Sequence, residues 1–416
     1  MDKVVENVQK AFGVQLSRSM SEDEYLEKMN AAGDALAAGA GQLPPDVASG
    51  LIDTVVDQSI LTKSGLIRMA KVDRKWEQHK IGIGTRAAQA ATEGAHPFGS
   101  KKATFSKIDI EPKEIIVPID VSYSMFEENI EKQTLQTHLL SMFGKALNNN
   151  IEQLLLTGNA LGPHVFLNEL DPAGSATQVC KDTFLGLQDG LLKRLDAGTY
   201  RKDLAGASMG HDVFSDVFLT LPSKFRNRSN LFFLADSNSF QYWNDRLARR
   251  GTGLGDGIIT GERMMNRWCG IPVYEVPLLD QTPVFVEHLS LSTSATTLRH
   301  KPVQGTNQFV VTAATITGAA GIVPLVEGTD YTVDYSAGTV TLASGTLAAK
   351  VTYRIRPSLP LLTKGNMMVG IGRDITLESE RDTRGRVIKF TLTAKLGFGM
   401  EEETANVFGY GLSTSR

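Results

Sequence analysis

The feature that most constrains the fold is a stretch of small and polar residues held between two strand-like runs. LIRMAKVDRKWEQHKIGIG (66–84) and KATFSKIDIEPKEIIVPIDVSYS (102–124) partly alternate between apolar and polar residues, which is typical of β-strands. Residues 85–101 between them carry almost no apolar bulk, and loops longer than about 12–15 residues are uncommon inside compact domains. Such a projection cannot bury itself, so we expect it to reach across to another molecule.

One long amphipathic helix is predicted directly after the second run, over residues 124–156. Ser124 and Glu127 have the capping-box spacing that satisfies the first free backbone N–H groups of a helix. Apolar residues then recur every three to five positions, at Ile130, Leu135, Leu139, Phe143, Leu147, Ile151 and Leu154. At about 1.5 Å per residue this helix would be roughly 50 Å long, enough to serve as the spine of a subunit.

The composition is that of a folded protein with two or three domains. The chain has 416 residues, 42% of them hydrophobic, and a formal net charge of -3, which argues against tight coating of nucleic acid. The charge is unevenly distributed: residues 1–60 hold ten acids and four bases, whereas residues 63–107 hold ten bases and three acids. Opposite patches favour contact between copies of the chain, and simple solvation of exposed segments is the alternative interpretation.

Further along, the sequence alternates between helical and strand-like segments. Helices are predicted over 183–198 and 211–225 and in SFQYWNDRLARRG, and NLFFLAD (230–236) and GIPVYEVPLL read as strands. Residues 283–357 are Thr/Val-rich and alternating, with a hairpin signal in YSAGTV, which predicts a small β-sandwich of its own. A long hairpin follows, with its turn at 382–385, so the sandwich interrupts a larger unit.

No segment carries a convincing enzymatic pattern. GASMG (206–210) matches the G-x-S-x-G motif, with Ser208 as nucleophile and His211 and Asp212 nearby, but YRKDLA precedes it where that motif needs a buried strand. GIGTRA (82–87) resembles a dinucleotide fingerprint without the surrounding βαβ unit. We therefore interpret Ser208 as a loop residue and the glycines as flexible loop positions.

The remaining signals concern metals, redox state and membranes. Cys180 and Cys269 are the only cysteines and stand in unrelated contexts, and the seven histidines lack zinc-site spacing. The first 20 residues lack the apolar core of a signal peptide, and no uncharged apolar run approaches the ~20 residues that span a bilayer. We expect a soluble protein that is made in the cytoplasm.

Taken in chain order, these segments resemble the major capsid proteins of tailed bacteriophages, which share the Hong Kong 97-like fold. LPSKFRNRSNLFFLAD (221–236) is similar to the Leu-Pro-x-x-aromatic-Arg stretch of that family. GERMMNRWCGIPVYEVPLL (261–279) is similar to its Gly-x-Pro-Val strand, and VGIGRDITLESERD (369–382) to its Arg-Asp-Ile-x-Leu/Ile-Glu return strand. The resemblance covers most of the chain outside 283–357, which departs from the minimal fold.

The resemblance implies an α+β fold with five parts. These are an N-terminal helical arm (1–62), an extended loop with flanking strands (63–121), a peripheral domain with the spine helix (122–235, completed by 373–399), an axial domain (236–282, completed by 358–372 and 400–416) and an inserted Ig-like β-sandwich (283–357). The extended loop itself would cover about 71–108. The insert looks like a decoration domain.

The resemblance also implies a structural role in the virion. Pentamers and hexamers would tile an icosahedral shell around double-stranded DNA, without sequence-specific binding, catalysis, cofactor, metal or membrane, and with scaffold, portal and decoration proteins as possible partners. The protein would be made in the host bacterial cytoplasm. The basic residues of the extended loop that we expect at contacts between subunits are Lys75, Lys80, Arg86, Lys101 and Lys102.

Two alternatives stay open at this point. One is a shell protein of an encapsulin-type cellular compartment, which shares the fold but usually has a shorter chain without an inserted β domain. The other belongs to a different class, a serine hydrolase centred on Ser208.

Overall fold

The computed structural model confirms an α+β protein. It describes residues 61, 66–72, 74–83, 103–123, 133–170, 175, 177–249, 266–279, 282–305, 308–313 and 323–414. Most of the predicted arm and the centre of the predicted loop lie outside these residues. None of the described helices is long and apolar enough to cross a membrane.

The helices are short except for the first. They are α1 (Gln133–Thr157), α2 (Leu167–Leu170), α3 (Leu191–Ala197), α4 (His211–Thr220) and α5 (Ser237–Ala248). The strands are β1 (Arg68–Lys71), β2 (Trp76–Ile83), β3 (Ala103–Ile110), β4 (Lys113–Ser122), β5 (His164–Phe166), β6 (Val179–Lys181), β7 (Arg201–Asp203), β8 (Leu231–Ala235), β9 (Arg267–Trp268), β10 (Ile271–Glu275), β11 (Val284–Ser292), β12 (Thr296–Thr297), β13 (Phe309–Ala313), β14 (Tyr331–Asp334), β15 (Thr339–Leu342), β16 (Thr346–Arg354), β17 (Ser358–Thr363), β18 (Met367–Asp382), β19 (Val387–Met400) and β20 (Val407–Tyr410).

The chain divides into two compact units. Among the described residues, the smaller unit contains those of Val117–Lys145 and Leu377–Leu392, and the larger unit contains the others. In the smaller unit, the predicted turn between β18 and β19 is confirmed, since Asp382 Oδ1 accepts hydrogen bonds from the backbone N–H groups of Arg384 and Gly385 at 3.1 and 2.9 Å. Backbone N–H of Tyr123 donates to the carbonyl of Arg386 in the same unit.

The core of the larger unit is a six-stranded mixed sheet in the order β7-β20-β17-β8-β10-β9. The predicted buried strand is confirmed, because every residue of β8 (LFFLA) is buried at the centre of this sheet. Helix α4 covers it with an apolar face on which Phe214 meets Phe233 edge to face, the ring centroids 4.9 Å apart. Asp236 caps α5 by accepting from Ser239 N–H at 3.0 Å. The predicted boundary between the peripheral and axial domains at 235/236 separates β8 from β10. The two strands nevertheless pair with each other in this one sheet.

The inserted segment forms two three-stranded antiparallel sheets, in the orders β11-β16-β13 and β12-β15-β14. The predicted hairpin in YSAGTV is confirmed as β14 and β15. Asp334 Oδ1 accepts from the N–H groups of Ser336 and Ala337, both at 2.9 Å, and Gly338 adopts a positive φ of 71° that a residue with a side chain rarely takes.

Two helices are shorter than predicted. The predicted helix over 183–198 contains only α3, because Asp182 Oδ1 accepts from the N–H groups of Phe184 and Leu185 and holds that segment as a turn. The predicted helix over 211–225 ends at Thr220 and is followed by a 3-10 turn, Ser223–Phe225, after Pro222. The long helix is described from Gln133 and buries Leu147, Ile151 and Leu154 as predicted, while its expected start at 124 lies outside the described residues.

Candidate subunit interface

Strands β2 and β3 form a two-stranded antiparallel ribbon, in register from Trp76 opposite Ile110 to Ile83 opposite Ala103. Side chains alternate between the two sides of a strand, so the ribbon has two faces. The inner face carries Trp76, Gln78, Lys80, Ser106, Ile108 and Ile110. The outer face carries Glu77, His79, Ile81, Phe105, Lys107 and Asp109.

The inner face rests on the body of the larger unit. Ile110 is 1% exposed and lies against Gly397 and Gly399, where an added Cβ would come within 2.8 and 2.5 Å of its side-chain atoms. The guanidinium of Arg68 lies over the ring of Trp76, 5.4 Å from its centroid. The absence of side chains at Gly397 and Gly399 therefore lets Ile110 pack directly against the body at the base of the ribbon.

The outer face presents an apolar pair that nothing covers in the described part of the chain. Ile81 and Phe105 are directly opposite each other in the register, and they are 64% and 76% exposed. Directly opposed side chains pack against each other and form the unit of sheet stabilisation. An aromatic and a β-branched side chain exposed side by side form a small apolar patch, and burial of such a patch against a partner is favourable.

The other end of the outer face is charged and internally neutralised. Lys75 Nζ lies 3.0 Å from both Glu77 Oε1 and Asp109 Oδ2, and Lys107 Nζ lies 3.5 and 3.4 Å from the same two oxygens. Hydrogen bonds to Asp109 and then to Glu77 raise the pKa of Lys75, and the hydrogen bond from Lys75 lowers the pKa of each carboxyl. Exposed ion pairs of this kind contribute little stability. In a contact with another molecule they would fix its orientation and register more than they would raise its affinity.

The inner face is fixed to the body by an ion pair between Lys80 and Glu402. The backbone of Glu402 is held on both sides by Asn366, whose Oδ1 accepts from Glu402 N–H at 2.7 Å and whose amide donates to Glu402 O at 2.8 Å. Partial burial by itself would raise the pKa of Glu402, but hydrogen bonds from Lys80 and Thr404 lower it on balance. Glu402 is therefore a charged anchor for the ribbon.

Of the five predicted contact residues, the structure brings two into the ribbon. Lys75 precedes β2 and belongs to the charged end, whereas Lys80 is on the inner face and pairs within the chain. Arg86, Lys101 and Lys102 lie outside the described residues. The sequence reasoning missed Ile81, Phe105 and Glu402. The partial alternation of apolar and polar residues in WEQHKIGI and ATFSKIDI is the signal that could have identified the first two, but no local signal marks Glu402.

The structure places Ser208 in an irregular loop before α4, as predicted. The preceding strand β7 has three residues with exposed ends, and not the buried strand that a nucleophile elbow needs. His211 Nδ1 accepts a hydrogen bond from Trp268 Nε1 at 2.9 Å, so that nitrogen already has a partner. In the ranges that the structure covers, no group of three His, Cys, Asp or Glu side chains could hold a metal ion.

Comparisons with known proteins place these features in context. No protein-family model matches the chain. Solved structures similar to it include those from Gordonia phage Cozz (13% identity, TM-score 0.49, covering 96% of this chain and 98% of that one) and Mycobacterium phage Ogopogo (13%, 0.48, 90% and 98%). A satellite phage P4 procapsid that includes the size determination (Sid) protein is also similar (10%, 0.47, 99% and 97%).

Similarity in sequence to one known protein is stronger evidence than these structural similarities. The putative prophage capsid protein YqbE of Bacillus subtilis (strain 168) is 26% identical over 390 residues, which are 93% of this chain and 97% of that protein. The match therefore includes the ribbon, the central sheet and the insert. The resemblance to a phage major capsid protein that the sequence motifs indicated is confirmed.

Proposed function

We propose that this chain is the major capsid protein of a tailed phage and that its copies tile a closed icosahedral shell around double-stranded DNA. The observation that carries the proposal is the similarity to a prophage capsid protein over nearly the full length of both chains. A mild net charge of -3 suits a shell that encloses DNA without gripping it. The shell belongs to the virion.

The ribbon is the part of the subunit that we assign to contact between copies. Its inner face is committed to its own subunit through Ile110 and Lys80, which leaves Ile81 and Phe105 to be covered by a neighbour. Each such contact is small, but a closed shell repeats it many times, and repetition raises overall avidity without any single strong bond. Weak individual contacts also let misplaced subunits leave during assembly.

The finer parts of the proposal follow the family resemblance. Pentamers and hexamers share one fold with a peripheral domain that contains the long helix and residues 373–399, and with an axial domain that contains 236–282, 358–372 and 400–416. Because β7 and β8 share a sheet with β10, β17 and β20, we assign these two strands to the axial domain, although they precede residue 236. The two three-stranded sheets of 283–357 support an Ig-like sandwich. Basic residues of the loop, including Arg86, Lys101 and Lys102, contact neighbouring subunits. Scaffold, portal and decoration proteins are the partners of such a shell.

The proposal is tested by imaging the purified full-length chain in negative stain over a range of protein concentrations, with light scattering for mass. We expect capsomers and closed particles, and a chain that stays monomeric at every concentration would contradict the proposal. An esterase assay of the wild type beside Ser208→Ala separates the hydrolase alternative. Turnover that is lost on substitution, from a monomeric chain, would favour that alternative.

A further inference from the structure

The central strand β16 of the insert sheet β11-β16-β13 is buried on both faces. Ala349–Tyr353 of β16 are buried without interruption, although a strand with one solvated face alternates. Tyr353 faces the second sheet of the insert, since its ring lies 5.9 Å from that of Phe309, which in turn lies 5.8 Å from Tyr331 of β14. The opposite face must therefore be covered by something other than the insert.

Strand β5 and the loop before it cover that opposite face through polar contacts. His164 N–H donates to Thr352 Oγ1 at 3.1 Å, and His164 Nδ1 lies 2.7 Å from Thr312 Oγ1. Lys350 Nζ donates to the carbonyl of Leu161 at 2.8 Å. We call these contacts the His164 joint. It connects the insert to the rest of its own unit.

A second set of contacts, the Asp196 joint, connects the insert to α3. Asp196 is 1% exposed, its Oδ1 lies 2.8 Å from His300 Nε2, and its Oδ2 lies 2.7 Å from Arg299 Nε. Arg201 of β7 adds a third contact at 3.2 Å. Burial by itself would raise the pKa of Asp196, but the hydrogen bond and charge of His300, followed by Arg299 and Arg201, lower it on balance. This carboxylate is surrounded by basic partners.

The His164 joint has the opposite electrostatic character. The charged or titratable groups that face His164 are Lys350 of β16, Lys181 of β6, His288 of β11, Arg354 of β16 and Glu169 of α2. No carboxylate of the described residues forms an ion pair with His164 or Lys350. Burial, then the charges of Lys350, Lys181 and His288, lower the pKa of His164 to about 4, and burial followed by Lys181 lowers that of Lys350 to about 8. A second positive charge here would have no paired counter-ion, because Glu169 is exposed to solvent and forms no ion pair with His164 or Lys350.

We propose that the inserted domain is held by a two-part joint whose His164 half opens on mild acidification while its Asp196 half stays closed. Protonated His164 would face the ammonium of Lys350 across a buried surface, and no carboxylate of the described residues is paired with either group to offset the repulsion. Asp196 keeps its charge and its basic partners over the same pH range, because its pKa lies below its ordinary value. At low pH the insert thus keeps its contacts with α3 and loses those with β5. The proposal concerns one subunit and holds whether or not the chain assembles.

The direction follows from proton linkage. The pKa of His164 is about 4 when the joint is closed and near its ordinary 6.5 when it is open. The open form therefore binds more protons between these values, and closure weakens as pH falls from about 6.5 towards 4. Between pH 7 and 4.5 the opening equilibrium constant of this joint rises roughly 50-fold.

Hydrogen exchange of the full-length chain at pH 7.0 and 4.5, corrected for intrinsic rates, tests the proposal. The His164 amide is a direct probe because its N–H group donates the hydrogen bond to Thr352 Oγ1 that links β5 to the insert. We expect the corrected exchange rate of the peptide covering β5 to rise between pH 7.0 and 4.5, and that of the peptide covering β8 to change little. In His164→Gln the pH dependence should be lost, and it should persist in His79→Gln, which changes an exposed histidine on the ribbon.

The proposal fails if β5 opens no more at pH 4.5 than at pH 7.0, or if β8 opens equally. It also fails if His164→Gln retains the full pH dependence. Should His164→Gln not fold, Lys350→Met takes its place. That substitution removes the nearest charge, so the rise should be clearly smaller than in the wild type, and an unchanged rise would overturn the proposal.

Discussion

The ribbon and the insert sheet are both antiparallel, yet they handle polarity in opposite ways. On the ribbon, the apolar pair Ile81 and Phe105 is exposed. In the insert sheet, the polar residues Lys350, Thr352 and Thr312 are buried. Exposed apolar side chains contribute favourable free energy when a partner removes them from water, whereas buried polar ones cost free energy unless every one is satisfied. The outer face of the ribbon is therefore suited to contact with another molecule, whereas the polar face of the insert sheet is a contact within the subunit.

The largest effect is expected from charging the outer face of the ribbon. In the double substitution Ile81→Asp with Phe105→Asp, each contact would bury unpaired carboxylates, which costs several kcal/mol per site. We expect no particles in negative stain, with thermal unfolding of the subunit almost unchanged because both residues are exposed.

Leu219→Asp is the matched control, because Leu219 is a 58% exposed apolar residue on α4. Its particles should form normally. Normal particles from the double variant as well would show that the outer face is not a contact.

The next largest effect concerns the Asp196 joint. Asp196→Ala leaves His300 and Arg299 without their buried partner, and removing one side of a buried ion pair typically costs about 3–5 kcal/mol. Denaturant unfolding at pH 7 measures the loss. The control is Asp216→Ala, which removes an exposed pair with Lys202 and should cost under about 1 kcal/mol. Equal costs for the two variants would mean that the Asp196 contacts contribute nothing beyond a surface pair.

Lys350→Met is expected to stabilise the protein. Its pKa of about 8 in the folded state lies below its ordinary 10.5, so at pH 7 the buried ammonium opposes folding. Replacing it should raise the unfolding free energy at pH 7 by about 1–3 kcal/mol. The wild type gains stability as pH rises from about 8 to 10.5, so the gap between the two proteins should narrow over that range. A variant less stable than the wild type at pH 7 would show that the hydrogen bond to Leu161 outweighs the buried charge.

The smallest effect is expected at the ribbon anchor. Glu402→Gln removes the ion pair with Lys80, both partners being partly exposed, so it should cost under about 1 kcal/mol. The stability that this carboxylate contributes is present above its ordinary pKa of 4.5 and is lost as pH falls below it. Hydrogen exchange should show faster exchange in β2 and β3 and no change in β8. Unchanged exchange in the ribbon would mean that the inner face is held by Ile110 alone.

Local patterns predicted much of this fold. The buried strand β8, the turn at Asp382 and the apolar face of α1 were readable because each depends on residues close together in sequence. The extent of the helix over 183–198 was wrong because a side-chain turn at Asp182 competes with the helical hydrogen bonds.

The contacts that define the two surfaces were beyond local reasoning. Asp196 and His300 are 104 positions apart, and Lys80 and Glu402 are 322 apart. Nothing near Lys350 indicated burial, since an AKVT segment reads as half exposed. Sequence periodicity indicates which residues share a face, and tertiary packing decides whether that face is covered.

The central claim, that a neighbouring copy covers the outer face of the ribbon, is tested most directly by thiol labelling. Phe105→Cys in a Cys269→Ser background leaves the buried Cys180 as the other thiol. Labelling of position 105 should be fast in dispersed subunits and strongly slowed in particles, while a cysteine at Leu219 labels similarly in both. Equal labelling rates at position 105 in dispersed and assembled protein would contradict the account.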